Sequence, residues 1–305
     1  MTPARVAAID IGTNSTRLLV ADVVDGRLER EVERLLEITR LGDRVDADGH
    51  LNDASMERVH ATLDRYTARA RELGAARPLA VATSAVRDAA NGTDFAGAVE
   101  RRHGVDVRVL SGDQEARMTF RGVTSARAAQ PGTLVCDIGG GSTELVLGDA
   151  GGVRKAVSVE LGCVRMSERF LASDPPTEDE LAGLRGAARG ILPAELTDAS
   201  RELIGVAGTV TTLAAIDLGL EREEPELVDG HRLTGAAVER LLARLAGLPL
   251  AERRAVRGLM PERAPTIVAG AAILTEVLAG CGLEALTVSE RDILQGAALA
   301  AAERG

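Results

Sequence analysis

The nonapeptide Asp10-Ile11-Gly12-Thr13-Asn14-Ser15-Thr16-Arg17-Leu18 returns 127 residues later as Asp137-Ile138-Gly139-Gly140-Gly141-Ser142-Thr143-Glu144-Leu145, identical at six of nine positions. Each copy follows a short apolar run, Val6-Ala7-Ala8-Ile9 and Thr133-Leu134-Val135-Cys136. Each therefore reads as a strand, an aspartate at its end, a small-residue turn and a second strand. Two such hairpins predict two related half-domains, whose turns are expected to hold the same phosphate from opposite sides. Either turn alone is also what an ordinary glycine-bearing hairpin looks like. The duplication favours the phosphate reading.

The flanking pattern is α/β in both halves. In the first, strands at 6–10 and 16–24 and a third strand running through Leu41 precede a helix from Asn52 or Asp53 to Leu73. That helix presents Met56, Val59, Leu63, Tyr66 and Ala70 on one face. A buried strand at 79–83, a helix near 95–102, a strand at 105–110 and a helix from Ser111 to about Val123 follow. Gln130-Pro131-Gly132 is a chain breaker just before the second hairpin, so the domains are expected at 1–128 and 129–305, leaving open that the last helix packs back on the first. The second half repeats the plan: a third strand at 153–160, helices near 162–171 and 178–196, and a strand at 202–206. A tight turn at Ala207-Gly208-Thr209 then leads into a helix at 210–218. Helices at 234–246 and 261–279, a strand at 284–288 and a helix at 292–304 complete it. Strands separated by helices imply sheets covered on both faces.

Charge excludes several classes of function. The net charge of −10 is the opposite of a general nucleic-acid binder. Scarce aromatics, with no Trp and one Tyr, argue against base-stacking platforms. Lys155 is the only lysine, so no lysine-based phosphate loop can be drawn. No apolar stretch is long and charge-free enough to span a bilayer, and Met1-Thr2-Pro3-Ala4-Arg5 does not read as a signal peptide. The chain reads as cytoplasmic. Cys136, Cys163 and Cys281 form no CxxC pair, and His50, His60, His103 and His231 have no metal-ligand spacing; all four histidines read as surface or partly buried bystanders.

The chemistry then falls to a few groups. Gly12 and Gly139-Gly140-Gly141 let backbone amides approach an anion, while Ser15, Thr16, Ser142 and Thr143 offer hydroxyls. Asp10 and Asp137, at strand ends, suit Mg²⁺ directly or through its waters, with Mn²⁺ as the alternative ion. Glu115 lies in the first turn of a helix, where a carboxylate is either a dipole-stabilising cap or a general base. Arg87, in a small polar loop after a buried strand, is either a phosphate clamp or a surface arginine. Gly208 and Thr209 open a helix after a strand, which makes an anion-binding N-terminus.

Taken together these segments resemble the exopolyphosphatase / guanosine pentaphosphate phosphohydrolase family of the actin-like superfamily. The resemblance runs through Ala8–Ser15, Ala82-Thr83-Ser84-Ala85-Val86-Arg87 and Ser111-Gly112-Asp113-Gln114-Glu115-Ala116. It continues through Val135–Glu144, Gly205–Thr209, Pro261-Glu262-Arg263-Ala264 and 288–296, spanning essentially the whole chain in order. It implies two actin-like (ribonuclease H-like) domains with an interdomain active-site cleft, and metal-assisted hydrolysis of a terminal phosphoanhydride. Glu115 is implied as catalytic base and Glu144 as a metal- and water-positioning acid beside Asp10 and Asp137. Phosphate is implied to lie against Gly12, Thr13, Asn14, Ser15, Arg17, Arg87, Gly139, Gly140, Gly141, Ser142, Thr143, Gly208 and Thr209. The substrate is implied to be inorganic polyphosphate, or in the alternative guanosine pentaphosphate. Further alternatives in the same superfamily are an ATP-dependent kinase or a non-catalytic polyphosphate or alarmone sensor. Longer family members carry an additional helical C-terminal region; this chain stops soon after Gly296, so a two-domain short form, low processivity and short chains are expected. A homodimer through the second domain is the remaining partner expectation.

Overall fold

Strand β1 (Ala4–Ile11) is buried on both sides, and its period-two pattern assigns the sides. Ala7, Ile9 and Ile11 enter one apolar cluster, and Val6 and Ala8 enter another. A strand sandwiched in this way belongs at the centre of a sheet covered by helices on both faces. A computed structural model describes residues 3–75, 78–222 and 224–303. Met1 and Thr2, and Arg304 at the expected end of the last helix, lie outside the described residues.

The chain divides into two units, one built from the residues up to Arg127 together with those from Arg291 onward, the other from Ala128–Glu290. In the first, β1 is followed by β2 (Thr16–Val24), β3 (Arg27–Glu37), α1 (Val45–Asp48), α2 (Asp53–Glu72), β4 (Leu79–Ala82), α3 (Ser84–Asp88), α4 (Gly92–His103), β5 (Asp106–Val109) and α5 (Gly112–Thr124). The sheet order is β3-β2-β1-β4-β5, antiparallel across β1, β2 and β3 and parallel across β1, β4 and β5. Helix α2 starts where it does because the Asn52 side chain accepts from Ser55 N over 2.8 Å. Its buried Val59, Leu63, Tyr66 and Ala70 cover one face of the sheet.

The second unit contains β6 (Thr133–Ile138), β7 (Thr143–Asp149), β8 (Gly152–Val159), α6 (Cys163–Phe170), α7 (Glu178–Ile191), α8 (Ala194–Thr197), β9 (Glu202–Val206) and α9 (Ala207–Asp217). After these come α10 (Pro225–Val228), β10 (Arg232–Thr234), α11 (Gly235–Ala246), α12 (Leu250–Arg253), a 3-10 turn (Pro261–Arg263), α13 (Ile267–Cys281) and β11 (Ala285–Val288). Its order, β10-β11-β9-β6-β7-β8, contains the same antiparallel trio and parallel partners as the first sheet, with β10 added at the edge. Both units are therefore built on one duplicated α/β sheet, as the hairpin repeat implies, and this is the ribonuclease H-like arrangement that the family resemblance implies.

The last helix, α14 (Ile293–Ala302), belongs to the first unit, so the second ends at Glu290 and not at the chain terminus. Its sequence is apolar all round, and eight of its residues are buried. Ile293, Leu294, Ala297, Ala298 and Leu299 fill the second face of the first sheet against Val6, Ala8, Leu19 and Val81. It crosses α5 at two glycines. A Cβ on Gly122 would collide with the carbonyl of Asp292, and one on Gly296 with the carbonyl of Met118.

Several local expectations differ. The helix expected over 178–196 is broken into α7 and α8 at Pro193, which cannot continue the α7 hydrogen-bond ladder. The helix expected over 261–279 is a 3-10 turn followed by a separate α13. His60 and His103 are buried and paired: His60 Nδ1 lies 2.8 Å from His103 Nε2, with the rings stacked, and His103 Nδ1 faces Asp64 over 3.2 Å. Among the described residues no helix is long and apolar enough to cross a membrane.

Candidate active site

Both copies of the repeated turn close with the same bond. Gly12 N donates to Ser15 O over 2.9 Å, and Gly139 N donates to Ser142 O over 3.0 Å. The glycines suit that closeness and not a left-handed backbone, since a Cβ on Gly12 or Gly139 would stand a tight 3.1 or 3.2 Å from the serine carbonyl across the turn. The chain leaving each third strand then returns to the turn's carbonyls. Arg40 N and Gly42 N donate to Asn14 O and Thr13 O over 2.9 and 2.8 Å; Cys163 N and Val164 N donate to Gly139 O and Gly140 O over the same two distances. Gly42 and Gly162 allow this approach, for a Cβ on either would collide with the turn. The duplication thus extends well beyond nine residues. Among the described residues the amides of Thr13, Asn14, Gly140 and Gly141 donate to no protein acceptor, which leaves them for an anion.

In the first unit the turn stands beside a charged cluster at the carboxyl ends of β1 and β4, the end of an α/β sheet where ligands bind. Asp10 is 5% exposed and lies directly across the strand pair from Arg17. Arg17 Nε and Nη2 donate to Asp10 Oδ2 over 2.9 and 2.7 Å, and Arg17 Nη1 donates to Asp292. Asp10 Oδ1 is buried and bonds to nothing in the protein. Burial pushes the Asp10 carboxyl above its ordinary range, Arg17 pulls it down, and the Asp292 charge raises it again. Thr13 and Ser84 share a hydroxyl–hydroxyl bond of 2.8 Å, which ties the turn to the start of α3.

Glu115 is not a capping residue. Ser111 and Gln114 form the reciprocal capping box of α5, with Gln114 Oε1 accepting from Ser111 N over 2.9 Å. The Glu115 side chain, only 7% exposed, instead accepts from Arg87 Nη1 over 2.9 Å, and the same nitrogen donates to Leu110 O over 3.0 Å. Burial pushes the Glu115 carboxyl up to about 7 against the opposing pull of Arg87, with the charges of Asp10 and Asp88 adding to the rise. A buried carboxylate whose proton affinity lies near neutrality can hold or release a proton at working pH.

In the second unit Glu144 occupies the position of Arg17, directly across from Asp137. The two side chains, 1% and 8% exposed, put two carboxylates where the first copy has an acid and a base. Ser158 Oγ donates to Glu144 Oε1 over 2.7 Å. At the β9–α9 junction Ala207 has φ +66, a left-handed conformation that costs a residue with a Cβ about 1–2 kcal/mol. Next to it Gly208 makes room for Arg263, whose Nη1 donates to Gly208 O and, over 2.9 Å, to Thr212 Oγ1. Thr209 Oγ1 reaches Ile138 O at 3.5 Å, joining this junction to the end of β6.

The structure therefore gathers Asp10, Gly12, Thr13, Asn14, Ser15, Arg17, Arg87 and Glu115 at one end of the first sheet. It gathers Asp137, Gly139, Gly140, Gly141, Ser142, Thr143, Glu144, Gly208 and Thr209 at the corresponding end of the second. Three expectations change. The Arg17 guanidinium is held by two carboxylates within its own unit. Arg87 pairs with Glu115. The Thr143 hydroxyl is fully buried and donates to Leu161 O, while Thr16 bonds Thr39 in the first unit, so both threonines fasten the third strand's exit. Asp292, Ser84, Ser158 and Arg263 were not singled out from sequence. Ser84, Arg263 and Asp292 lie inside family-like segments, but nothing in their spacing reports which side chain they touch.

A divalent cation fits these residues on two observations: the unpartnered buried oxygen of Asp10, and the facing acids Asp137 and Glu144. Hard oxygen donors of this kind suit Mg²⁺ or Mn²⁺. Among the described residues no cluster of three or more His, Cys, Asp or Glu side chains stands ready for a metal.

A model of the Ppx/GppA phosphatase family matches residues 19–302. The chain is 39% identical to exopolyphosphatase 2 of Mycobacterium tuberculosis over 322 residues, covering 99% of this chain and 100% of that protein. Among solved structures it is similar to an exopolyphosphatase-like protein, with a TM-score of 0.91, 33% identity and 98% of each chain covered. It is also similar to the Aquifex aeolicus member of the Ppx/GppA family, with a TM-score of 0.82, 32% identity and 99% and 98% of the two chains covered.

Proposed function

The chain belongs to the Ppx/GppA phosphatase family, and on that footing we propose that it is an exopolyphosphatase, releasing orthophosphate from the end of inorganic polyphosphate. The observation that carries the reading is Glu115, a buried carboxyl raised to about 7 and oriented by Arg87 in a unit that also presents the free amides of Thr13 and Asn14. In this role Glu115 orients a water and accepts its proton as the oxygen attacks the terminal phosphorus. Arg87 holds the Glu115 carboxylate in one orientation. The turn amides of each unit, with Ser15, Ser142 and the α9 N-terminus at Gly208 and Thr209, are the phosphate-binding groups. Asp10 in the first unit, and Asp137 with Glu144 in the second, are the residues that would hold Mg²⁺ or Mn²⁺. The bound ion would neutralise charge on the substrate oxygens, which phosphoryl transfer requires together with positioning.

Glu115→Gln keeps the shape and the contact with Arg87 but cannot accept a proton. Turnover should fall at least about 10²-fold, the low end for losing acid–base help, with KM changed little. Wild-type turnover in that variant would overturn the assignment. The substrate is tested by kcat/KM on short polyphosphate, long polyphosphate, guanosine pentaphosphate and ATP side by side. The proposal requires polyphosphate to lead, and a higher value on guanosine pentaphosphate would replace it with the alarmone activity.

A further inference from the structure

All three glycine carbonyls of the second turn are bonded to the start of α6. Gly139 O accepts from Cys163 N over 2.9 Å, and Gly140 O accepts from Val164 N and Arg165 N over 2.8 and 3.1 Å. Gly141 O accepts from a side chain, Arg165 Nε, over 2.9 Å. That side chain is only 11% exposed, and its Nη1 lies 3.9 Å from the Glu160 carboxylate. In the first turn Asn14 O, the counterpart of Gly141 O, is taken by a backbone amide, Arg40 N.

In a trans peptide the carbonyl and the N–H of the following residue point in opposite directions. Each carbonyl turned toward α6 therefore turns one amide away from it. Gly139 O orients Gly140 N, Gly140 O orients Gly141 N, and Gly141 O orients Ser142 N. Among the described residues none of these three amides donates to a protein acceptor. The turn is partly exposed at Gly139 and Gly140, while Gly141 and Ser142 behind them are buried. An unpartnered amide at a buried residue calls for an acceptor that the protein does not supply.

The residue types explain why a side chain is needed. Thr13-Asn14 of the first copy is Gly140-Gly141 in the second, and glycine has the most backbone freedom to lose. Thr13 is also tied to Ser84 through its hydroxyl, a bond no glycine can make. Without the Arg165 bond, the Gly141–Ser142 peptide plane would be free to rotate and take the Ser142 N–H with it.

We propose that Arg165 is a positioning residue for the substrate: its bond to Gly141 O fixes the last peptide plane of the second turn, so that Ser142 N joins Gly140 N and Gly141 N as a phosphate donor. This rests on the reading of that turn as phosphate-binding. Arg165 acts through the hydrogen bond and not through its charge.

The test separates the bond from the charge. Glutamine carries Nε2 at the same place along the side chain as arginine Nε, so Arg165→Gln keeps a donor for Gly141 O without the charge. Methionine matches the bulk but has no donor. Arg165→Met should raise KM for tripolyphosphate about tenfold or more, as expected for misaligning a hydrogen bond to a charged ligand, with kcat little changed. Arg165→Gln should keep a KM close to wild type. Arg165→Leu carries the same expectation as the methionine variant and replaces it should that fail to fold. A merely structural role would lower the melting temperature of the variants without a donor and leave KM of the folded protein unmoved. A role for the charge alone would raise KM in Arg165→Gln as much as in Arg165→Met. Either result overturns the inference. The amide resonances of Gly140, Gly141 and Ser142 in isotope-labelled protein, titrated with inorganic phosphate in the presence of Mg²⁺, test the underlying reading separately. If they shift in the wild type while Arg165→Met keeps a normal KM, only the inference falls. If they do not shift in the wild type, the second turn does not hold phosphate and both fall.

Discussion

Arg87 donates through Nη1 to Glu115 over 2.9 Å, and that bond offsets part of the rise that burial gives the proposed base. Burial raises the Glu115 carboxyl and Arg87 lowers it, with a net position of about 7. The base must be ionised to act, so kcat/KM should rise with pH through an acid limb centred near 7. Arg87→Gln removes the lowering influence and should move that limb to higher pH. The measurement is a pH profile of kcat/KM for both proteins. A limb that stays in place, whatever the loss in rate, would mean that Arg87 does not tune the base. The same group affects stability in a definite direction. Its folded value lies above the ordinary 4.5, so the folded state keeps a proton that the unfolded chain releases. Its contribution to stability therefore diminishes as pH rises from about 4.5 to 7.

The crossing of α5 and α14 connects stability to the site. A Cβ on Gly122 would collide with backbone at Asp292, and backbone cannot move aside as a flexible side chain can. Gly122→Ala should destabilise the protein by at least about 1–3 kcal/mol, the usual range for overpacking, despite alanine's better helix propensity. Because Asp292 is the residue displaced, turnover should fall in the protein that remains folded. Denaturant unfolding together with kcat on the folded fraction checks both parts. A stabilised Gly122→Ala with full turnover would contradict the packing described.

What the sequence made legible divides along a physical line. The two sheets follow from the hairpin repeat because period-two patterning and turn chemistry are local. Glu115 and Asp10 were legible because their segments are motifs with fixed neighbours. The partners of those residues were not. Arg17 occupies Glu144's counterpart position in the register, and its charge suggests a phosphate ligand; its second carboxylate comes from 275 residues away and is recorded by no spacing. His60 and His103 looked scattered for the same reason, since their contact depends on how α2 packs against α4. Thr143 belongs to the repeat by identity, yet its hydroxyl turns inward to Leu161 O, because a strand residue's side is decided by register and not by residue type.

The exchange of Arg17 for Glu144 between the two copies leads to the last expectation. Asp10 faces a cation, whereas Asp137 faces another acid in the same register. Like charges directly opposite one another destabilise a strand pair, by roughly 0.2–1 kcal/mol. Glu144→Gln keeps the shape and can still accept from Ser158. Without divalent ions it should therefore melt at or above the wild-type temperature. A cation held by Asp137 and Glu144 stabilises the folded state by mass action, so Mg²⁺ or Mn²⁺ should raise the wild-type melting temperature more than that of Glu144→Gln. Activity should fall in the variant at saturating polyphosphate. Melting curves with and without each ion provide the check. If added ion shifts the two proteins equally, Glu144 does not hold the cation, and the acidic pair needs another explanation.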